Sequence, residues 1–391
     1  MRKYVLLLLA VLLFVSADAQ LNSKAYVYNY GHLNNSFNLI KKRKTITIAF
    51  LGGSITNMEG WRGLVSQFLI YKYPEVNFRF INAGIPSLGS LPHAFRLKQD
   101  VLNQGKIDLM FLESAVNDCA NGTSEKVQRR ALEGVIRHAL QENPDMDLVM
   151  MAFSDPEKLK DYRNGNIPLE VKVHQDLAKH YKLPFINLAK EVADRINAGE
   201  FTWEKDFKNL HPSPFGQLLY ANTISNLLSQ NDGLSLKKIR HKHIPFSLEH
   251  RNYNKGNYHS IENAEASPGF IKKASWVPSD QANTRQGFVA IPVLEGLKPG
   301  ASLVLHFKGR VIGIATLAGP DAGILAYSID GKEFPAIDLF TQWSKNLHLP
   351  WYQMLADELD QGNHQLELKI LNNNNSLSKG HAIRIFNFLV N

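Results

Sequence analysis

The sequence predicts two architectures in tandem: a flavodoxin-like three-layer α/β/α domain, then an all-β jelly-roll or β-sandwich domain. Three observations carry this. Strand-like and helix-like runs alternate from residue 45 to about 230. From residue 276 onward only short strand-like runs remain, separated by turn residues. Between the two, residues 237–275 are polar and basic, rich in Asn, Lys, His and Gly. A length of 391 residues accommodates two domains, and 44% hydrophobic with 20% charged residues excludes wholesale disorder. The expected boundaries are a leader at 1–19, the α/β domain at 20–232, a linker or extended loop at 233–275 and the β-sandwich at 276–391.

The leader is read first. Arg2 and Lys3 precede the apolar run at 5–15, and Ala17-Asp18-Ala19 follows as a small-residue cleavage site. This is the pattern of a secretory signal peptide, and its apolar run is too short for a comfortable membrane span. No cysteine stands near the cleavage site and no later run is long and apolar enough to cross a membrane, so no stable membrane anchor is expected. Cys119 is the only cysteine, so the chain forms no internal disulfide and folds on its core alone. Export with so few cysteines fits a bacterial periplasmic or secreted protein. The net charge of +8 comes from dispersed basic residues, without a clustered nucleic-acid-reading motif, so no nucleic-acid partner is expected.

In the α/β domain, apolar runs predict strands at 45–51, 76–81, 107–113, 148–153 and 184–188. Helical periodicity predicts helices at 61–73, 93–103, 125–141, 170–181, 190–198 and 215–229. Ser124 with Glu125 gives the third helix a good start signal. Five strands alternating with helices imply a parallel sheet covered on both faces. In the second domain, strands are expected at 287–293, 302–307, 311–316, 325–329, 365–371 and 382–390, with Asp330-Gly331 as a hairpin turn.

Four stretches carry the chemistry. The first strand stops at Gly52-Gly53 and Ser54 follows at its carboxyl end, where ligands bind in open parallel sheets. Taken alone, Ser54 is a nucleophile, a helix cap or a turn residue. Asn82-Ala83-Gly84-Ile85-Pro86-Ser87 follows the second strand, Val116-Asn117-Asp118 the third, and Leu210-His211-Pro212 precedes the last helix. Read singly, Asn117 is also an ordinary turn residue and His211 an ordinary loop residue. His241 and His243, two apart without partnered carboxylates, read as solvated, and no metal or cofactor is expected.

In this order the four stretches resemble the signature blocks of the SGNH hydrolases, the GDSL esterase/lipase family, across roughly residues 45–225. The resemblance implies Ser54 as nucleophile and His211 as its general base. It implies an oxyanion hole built from the backbone N–H of Ser54, a backbone N–H at Ser87 and the side chain of Asn117. Three positions depart from the family pattern. Gly53 stands where the first block has Asp, and Ser87 where the second block has glycine. Lys208 stands three residues before His211, where the family has the acid that orients the histidine; Asp206, five residues before, is the candidate third member. The third member fixes tautomer and orientation, so its source can vary.

Two-domain exported members of this type resemble carbohydrate O-acetyl esterases, and the stretch at 319–334 resembles their jelly-roll modules. The implied partner is an acetylated polysaccharide or oligosaccharide. Trp61 and Arg62 either line the acyl or sugar pocket or anchor the first helix, and Trp343, Trp351 and Tyr352 either meet a sugar face or pack the sandwich or the domain interface. Two other readings stay open: a lipid or aryl esterase on the same fold, and a glycan-binding protein with a decayed hydrolase domain. Lys208 favours the last, while Ser54, Asn117 and His211 oppose it. The glycan, the acetylated hydroxyl and the oligomeric state are not legible.

Overall fold

The computed structural model describes residues 21–233, 241–266 and 269–391. The leader expected at 1–19 lies outside them, as do residues 234–240 of the expected linker.

Six strands form the first sheet: β1 (Val27–Asn29), β2 (Ile46–Gly52), β3 (Phe78–Gly84), β4 (Leu109–Glu113), β5 (Asp147–Ala152) and β6 (Pro184–Asn187). Their order is β1-β6-β5-β4-β2-β3. β1 runs antiparallel to β6, and every other pair is parallel. The five parallel strands take the flavodoxin order, whose direction switches between β2 and β4. β2, β4, β5 and β6 are buried along their whole length, as strands covered on both faces must be. The short edge strand β1 and the helix Asn34–Lys41 were not expected from the sequence. A three-residue strand carries too few positions to show a period.

Helices cover both faces. Ser90–Asp100, Glu125–Glu142 and Leu169–His180 bury Phe95, Val135, Ala139 and Leu177 on one side. Trp61–Lys72, Leu188–Asn197 and Pro214–Asp232 bury Trp61, Val65, Val192, Tyr220 and Ile224 on the other. Register brings the strand ends level, with Gly52 opposite Gly84 and Leu51 opposite Leu112. The loops carrying Ser54, Ser87 and Asn117 therefore leave the sheet side by side at the switch point.

The second domain stacks two antiparallel-rich sheets. One runs Asn283–Thr284, Leu347–Ala356, Ile312–Ala318, Ile383–Val390, Ile291–Gly296 and Phe270–Trp276, with Asn257–His259 beside Ile383–Val390. The other runs Lys332–Asp338, Ile324–Ile329, Gly362–Ile370, Ser302–Gly309 and Ala264–Ala266. Asp330 and Gly331 form the expected hairpin, both at positive φ (52° and 77°), with Ile329 opposite Lys332. That pair of angles is the type I′ requirement.

The stretch 233–275 is not simply a linker. Three strands of the sandwich begin within it, at Asn257, Ala264 and Phe270. Phe270–Trp276 buries only its two end residues, so it showed no apolar alternation. Earlier in the same stretch, the backbone N–H groups of Leu248 and Glu249 donate to the Glu133 carboxylate at 2.7 and 2.6 Å. The two domains also share apolar packing. Ala315, Leu317, Tyr352 and Phe386 of the larger sheet join the cluster that holds Phe95 and Tyr253. Arg130 pairs with Asp357 at 2.6 Å and with Glu358 at 3.0 Å across the same boundary.

Candidate active site

Ser54 opens a one-turn helix, Ser54–Asn57, directly after β2. Its N–H leads that helix and so has no helical acceptor. The two preceding glycines are required by close approach. A Cβ on Gly52 would lie 2.2 Å from Thr56 Oγ1, and one on Gly53 would lie 1.9 Å from Asn117 Oδ1. Gly53 therefore has a physical reason: the Asn117 amide occupies the space a side chain there would need.

His211 Nε2 lies 2.8 Å from Ser54 Oγ, a contact spanning 157 residues of sequence. Its loop is held by the following helix, whose N-cap Ser213 accepts from the Gly216 N–H and donates its own N–H to the Phe207 carbonyl at 3.0 Å. Partial burial, and then the cation of Arg285, hold the imidazole below its ordinary pKa. The ring is therefore neutral at pH 7 and able to accept the serine proton.

Asp206 is not brought to His211. Its Oδ2 accepts from the Thr202 N–H at 2.8 Å and from Thr202 Oγ1 at 3.2 Å, closing the turn Trp203–Phe207 in which it sits. Asp206 makes no hydrogen bond to His211, and the chain then passes through Lys208 at a left-handed φ of 79°. The His211 N–H donates to Asn209 Oδ1 at 2.7 Å. Among the described residues, no carboxylate hydrogen-bonds His211 Nδ1.

Of the candidate oxyanion donors, Asn117 stands next to the residue that precedes Ser54. Asn117 lies in the helix Ala115–Ala120, against Gly53. Ser87 stands at φ 73°, the backbone region that favours glycine, and so keeps the conformation the family's glycine would have. Its carbonyl accepts from Asn121 Nδ2 at 2.9 Å. Its N–H is donated to none of the described residues, which leaves it free for a ligand.

Buried groups fix these loops: Arg96, which the sequence did not single out, and Asp118, which reads from the sequence as a loop support. Arg96, fully buried, donates to the Gly52 carbonyl at 3.2 Å and the Ala83 carbonyl at 2.7 Å, and pairs with Asp100 at 2.7 Å. It thereby ties the ends of β2 and β3 together. Asp118 accepts from the Ser90 N–H at 2.8 Å and Ser90 Oγ at 2.9 Å, joining the Asn117 helix to the loop after Ser87. Burial raises the Asp118 carboxyl to about 7. On the far side, Lys158 Nζ donates to the Ala115 carbonyl at 3.0 Å.

Trp61 and Arg62 take the anchoring role. Trp61 is fully buried, stacked edge-on against Phe50 and Phe153, with its indole N–H on the Ile55 carbonyl at 3.1 Å. Arg62 donates to the Thr56 carbonyl at 3.2 Å. Tyr352 is buried in the domain interface, whereas Trp343 is 45% exposed. The residue that sequence reasoning missed in the site itself is Arg285. It comes from the second domain, and its guanidinium donates to Ser87 Oγ at 3.3 Å. No spacing within the first domain could have revealed it. His241 pairs with Asp145 at 2.9 Å, and among the described residues no group of three or more His, Cys, Asp or Glu is placed to hold a metal ion.

A serine hydroxyl bonded to a neutral imidazole, with unsatisfied amide donors alongside, can attack a carbonyl and hold the resulting oxyanion. That chemistry defines a serine-dependent acyl hydrolase. Residues 50–219 match the GDSL-like lipase/acylhydrolase family, a match that supports a carboxylic ester hydrolase. No curated protein sequence matches the chain. Among solved structures, it resembles a two-domain esterase (CEX) active on acetylated mannans at 20% identity and a TM-score of 0.78, covering 95% of this chain and 98% of that one. The same esterase co-crystallised with mannopentaose gives a TM-score of 0.76 over the same shares at 20% identity. An acetylxylan esterase from Geobacillus stearothermophilus gives 0.38 at 17% identity, covering 50% of this chain and 97% of that one. The first two likenesses establish the fold of both domains in tandem.

Proposed function

We propose that this chain is an exported serine esterase that removes O-acetyl groups from a polysaccharide or its oligosaccharides. The observation that carries the proposal is the 2.8 Å contact between Ser54 Oγ and His211 Nε2 beside the Asn117 amide. In this mechanism His211 takes the Ser54 proton as the serine oxygen attacks the acetyl carbonyl. The N–H groups of Ser54 and Ser87 and the Asn117 side chain bind the oxyanion. Collapse expels the sugar alkoxide, which takes its proton from His211. Water, activated by the same imidazole, then releases acetate and restores Ser54.

Asp206 is engaged elsewhere, so His211 acts in this account without a carboxylate partner. Partial burial and the cation of Arg285, which contacts Ser87 Oγ, hold the imidazole below its ordinary pKa. The acetyl-sugar assignment draws support from the two-domain esterase on acetylated mannans, which shares both domains in the same arrangement along the chain. Export rests on the leader-like segment at residues 1–19, and a periplasmic or secreted location follows.

The test is acetate release from acetylated mannan, xylan and pectin, by wild type and by Ser54→Ala. Release by wild type that is lost in Ser54→Ala is the expected result. An enzyme that hydrolyses long-chain lipid esters or aryl esters but no acetylated glycan would overturn the substrate assignment.

A further inference from the structure

A second cavity lies beside the candidate active site, on the Ser87 side, with a volume of about 200 Å³. One wall is the loop Ser87 to Leu91, the second is Asn121 to Ser124, and the third is the Pro350 to Met354 stretch of the second domain. Ser87 belongs both to this cavity and to the candidate oxyanion hole. The cavity therefore opens where the part of a substrate beyond the scissile ester would lie.

Its chemistry is selective. Not one of the lining residues carries an ionisable acid or base that is charged at pH 7. Hydroxyl and amide groups come from Ser87, Asn121, Thr123, Ser124 and Gln353, and apolar surface from Leu91, Trp351 and Met354. The strand edge adds more polar groups. Leu347–Ala356 pairs with Ile312–Ala318 on one side, but on the other it is paired only at Leu347 and His348. Beyond His348 that edge has no strand partner among the described residues, although the carbonyls of Trp351, Met354 and Leu355 accept from Thr316, Gln353 and Tyr327 side chains. A neutral lining with many hydrogen-bonding groups and an aromatic residue matches a ligand that is uncharged, rich in hydroxyls and apolar on one face. Charged ligands and long acyl chains fit it poorly.

We infer that this cavity is a glycan subsite, which binds an unacetylated sugar next to the acetylated one and is completed by the second domain. The inference rests on the esterase reading above and adds to it: the β-sandwich strand sets substrate preference by forming a wall of the site.

The experiment pairs two substrates with two variants. Trp351→Ala removes apolar surface, and Gln353→Trp fills the cavity. The expected result for both is a KM for acetylated oligosaccharide raised about tenfold or more, a change worth about 1.4 kcal/mol in binding. For 4-nitrophenyl acetate, too small to reach the subsite, kcat/KM stays within about twofold of wild type. Equal losses on both substrates would assign these residues a structural role and overturn the inference, as would an unchanged glycan KM in Gln353→Trp. If wild type cleaves the aryl ester but no glycan, the acetyl-glycan assignment fails separately. Calorimetric titration of Ser54→Ala with unacetylated manno- and xylo-oligosaccharides then decides the cavity: binding abolished by Gln353→Trp supports it, and no binding to either refutes it.

Discussion

The two halves of the candidate site are built differently. The nucleophile half is fixed from beneath: Gly52 and Gly53 are buried and in close contact, Arg96 grips the ends of β2 and β3, and Asp118 locks the Asn117 helix to the Ser90 turn. The base half is an exposed loop. His211 is exposed, Lys208 takes a left-handed conformation, and the nearest candidate acid closes its own turn on Thr202. Burial specifies backbone geometry through close packing and obligatory hydrogen bonds, whereas an exposed loop is set by a few local contacts. The nucleophile half should therefore tolerate little change, and the base half more.

Four substitutions break or sharpen that contrast. Ser54→Ala should reduce kcat for acetyl-ester hydrolysis by about 10⁴-fold or more, since among the described residues no other nucleophile contacts His211 Nε2. Steady-state kinetics on 4-nitrophenyl acetate reads this directly. Asn117→Ala should cost about 10²–10³ in kcat with little change in KM, the usual loss of one oxyanion donor. A change in KM alone would assign Asn117 to substrate binding instead.

Asp206→Ala separates the halves most sharply. An acid that orients the imidazole is worth about 10⁴ in kcat. The Thr202 contacts predict a loss below about tenfold, accompanied by a less stable turn. A loss near 10⁴ would mean that the loop rearranges to bring Asp206 onto His211 during turnover. Arg285→Ala should have the smallest effect on rate and a diagnostic effect on pH dependence. The cation holds the His211 pKa down, so its removal raises that pKa. The acid limb of kcat/KM should then move to higher pH, with the pH-independent rate nearly retained. A limb that stays in place would show that burial alone sets the imidazole.

The same contrast decides what the sequence reveals. Ser54 and Asn117 follow strands whose apolar runs are unmistakable, so both their elements and their positions at the sheet edge are legible. Ser87 is legible through its spacing from Asn82, and its φ of 73° explains why glycine is the family's usual residue there. Asp206 misleads because linear spacing does not show that a carboxylate caps its own turn. Asp118 reads as a loop support and holds Ser90, whereas Arg96 stays hidden because a buried charge is indistinguishable in sequence from a solvated one. Arg285 is 74 residues beyond His211 in a different domain, and only the shared apolar interface brings it to Ser87. The strand Phe270–Trp276 is missed for a related reason: its middle is exposed and polar.

The most direct test of the account is covalent capture of the nucleophile. Wild type treated with an aryl-ester-mimicking phosphonate should lose activity in proportion to the label bound, one label per chain, on the peptide that contains Ser54. His211→Ala should label far more slowly. Labelling of a different serine, or complete inactivation without a Ser54 adduct, would contradict the claim that Ser54 and His211 form the acyl-transfer pair.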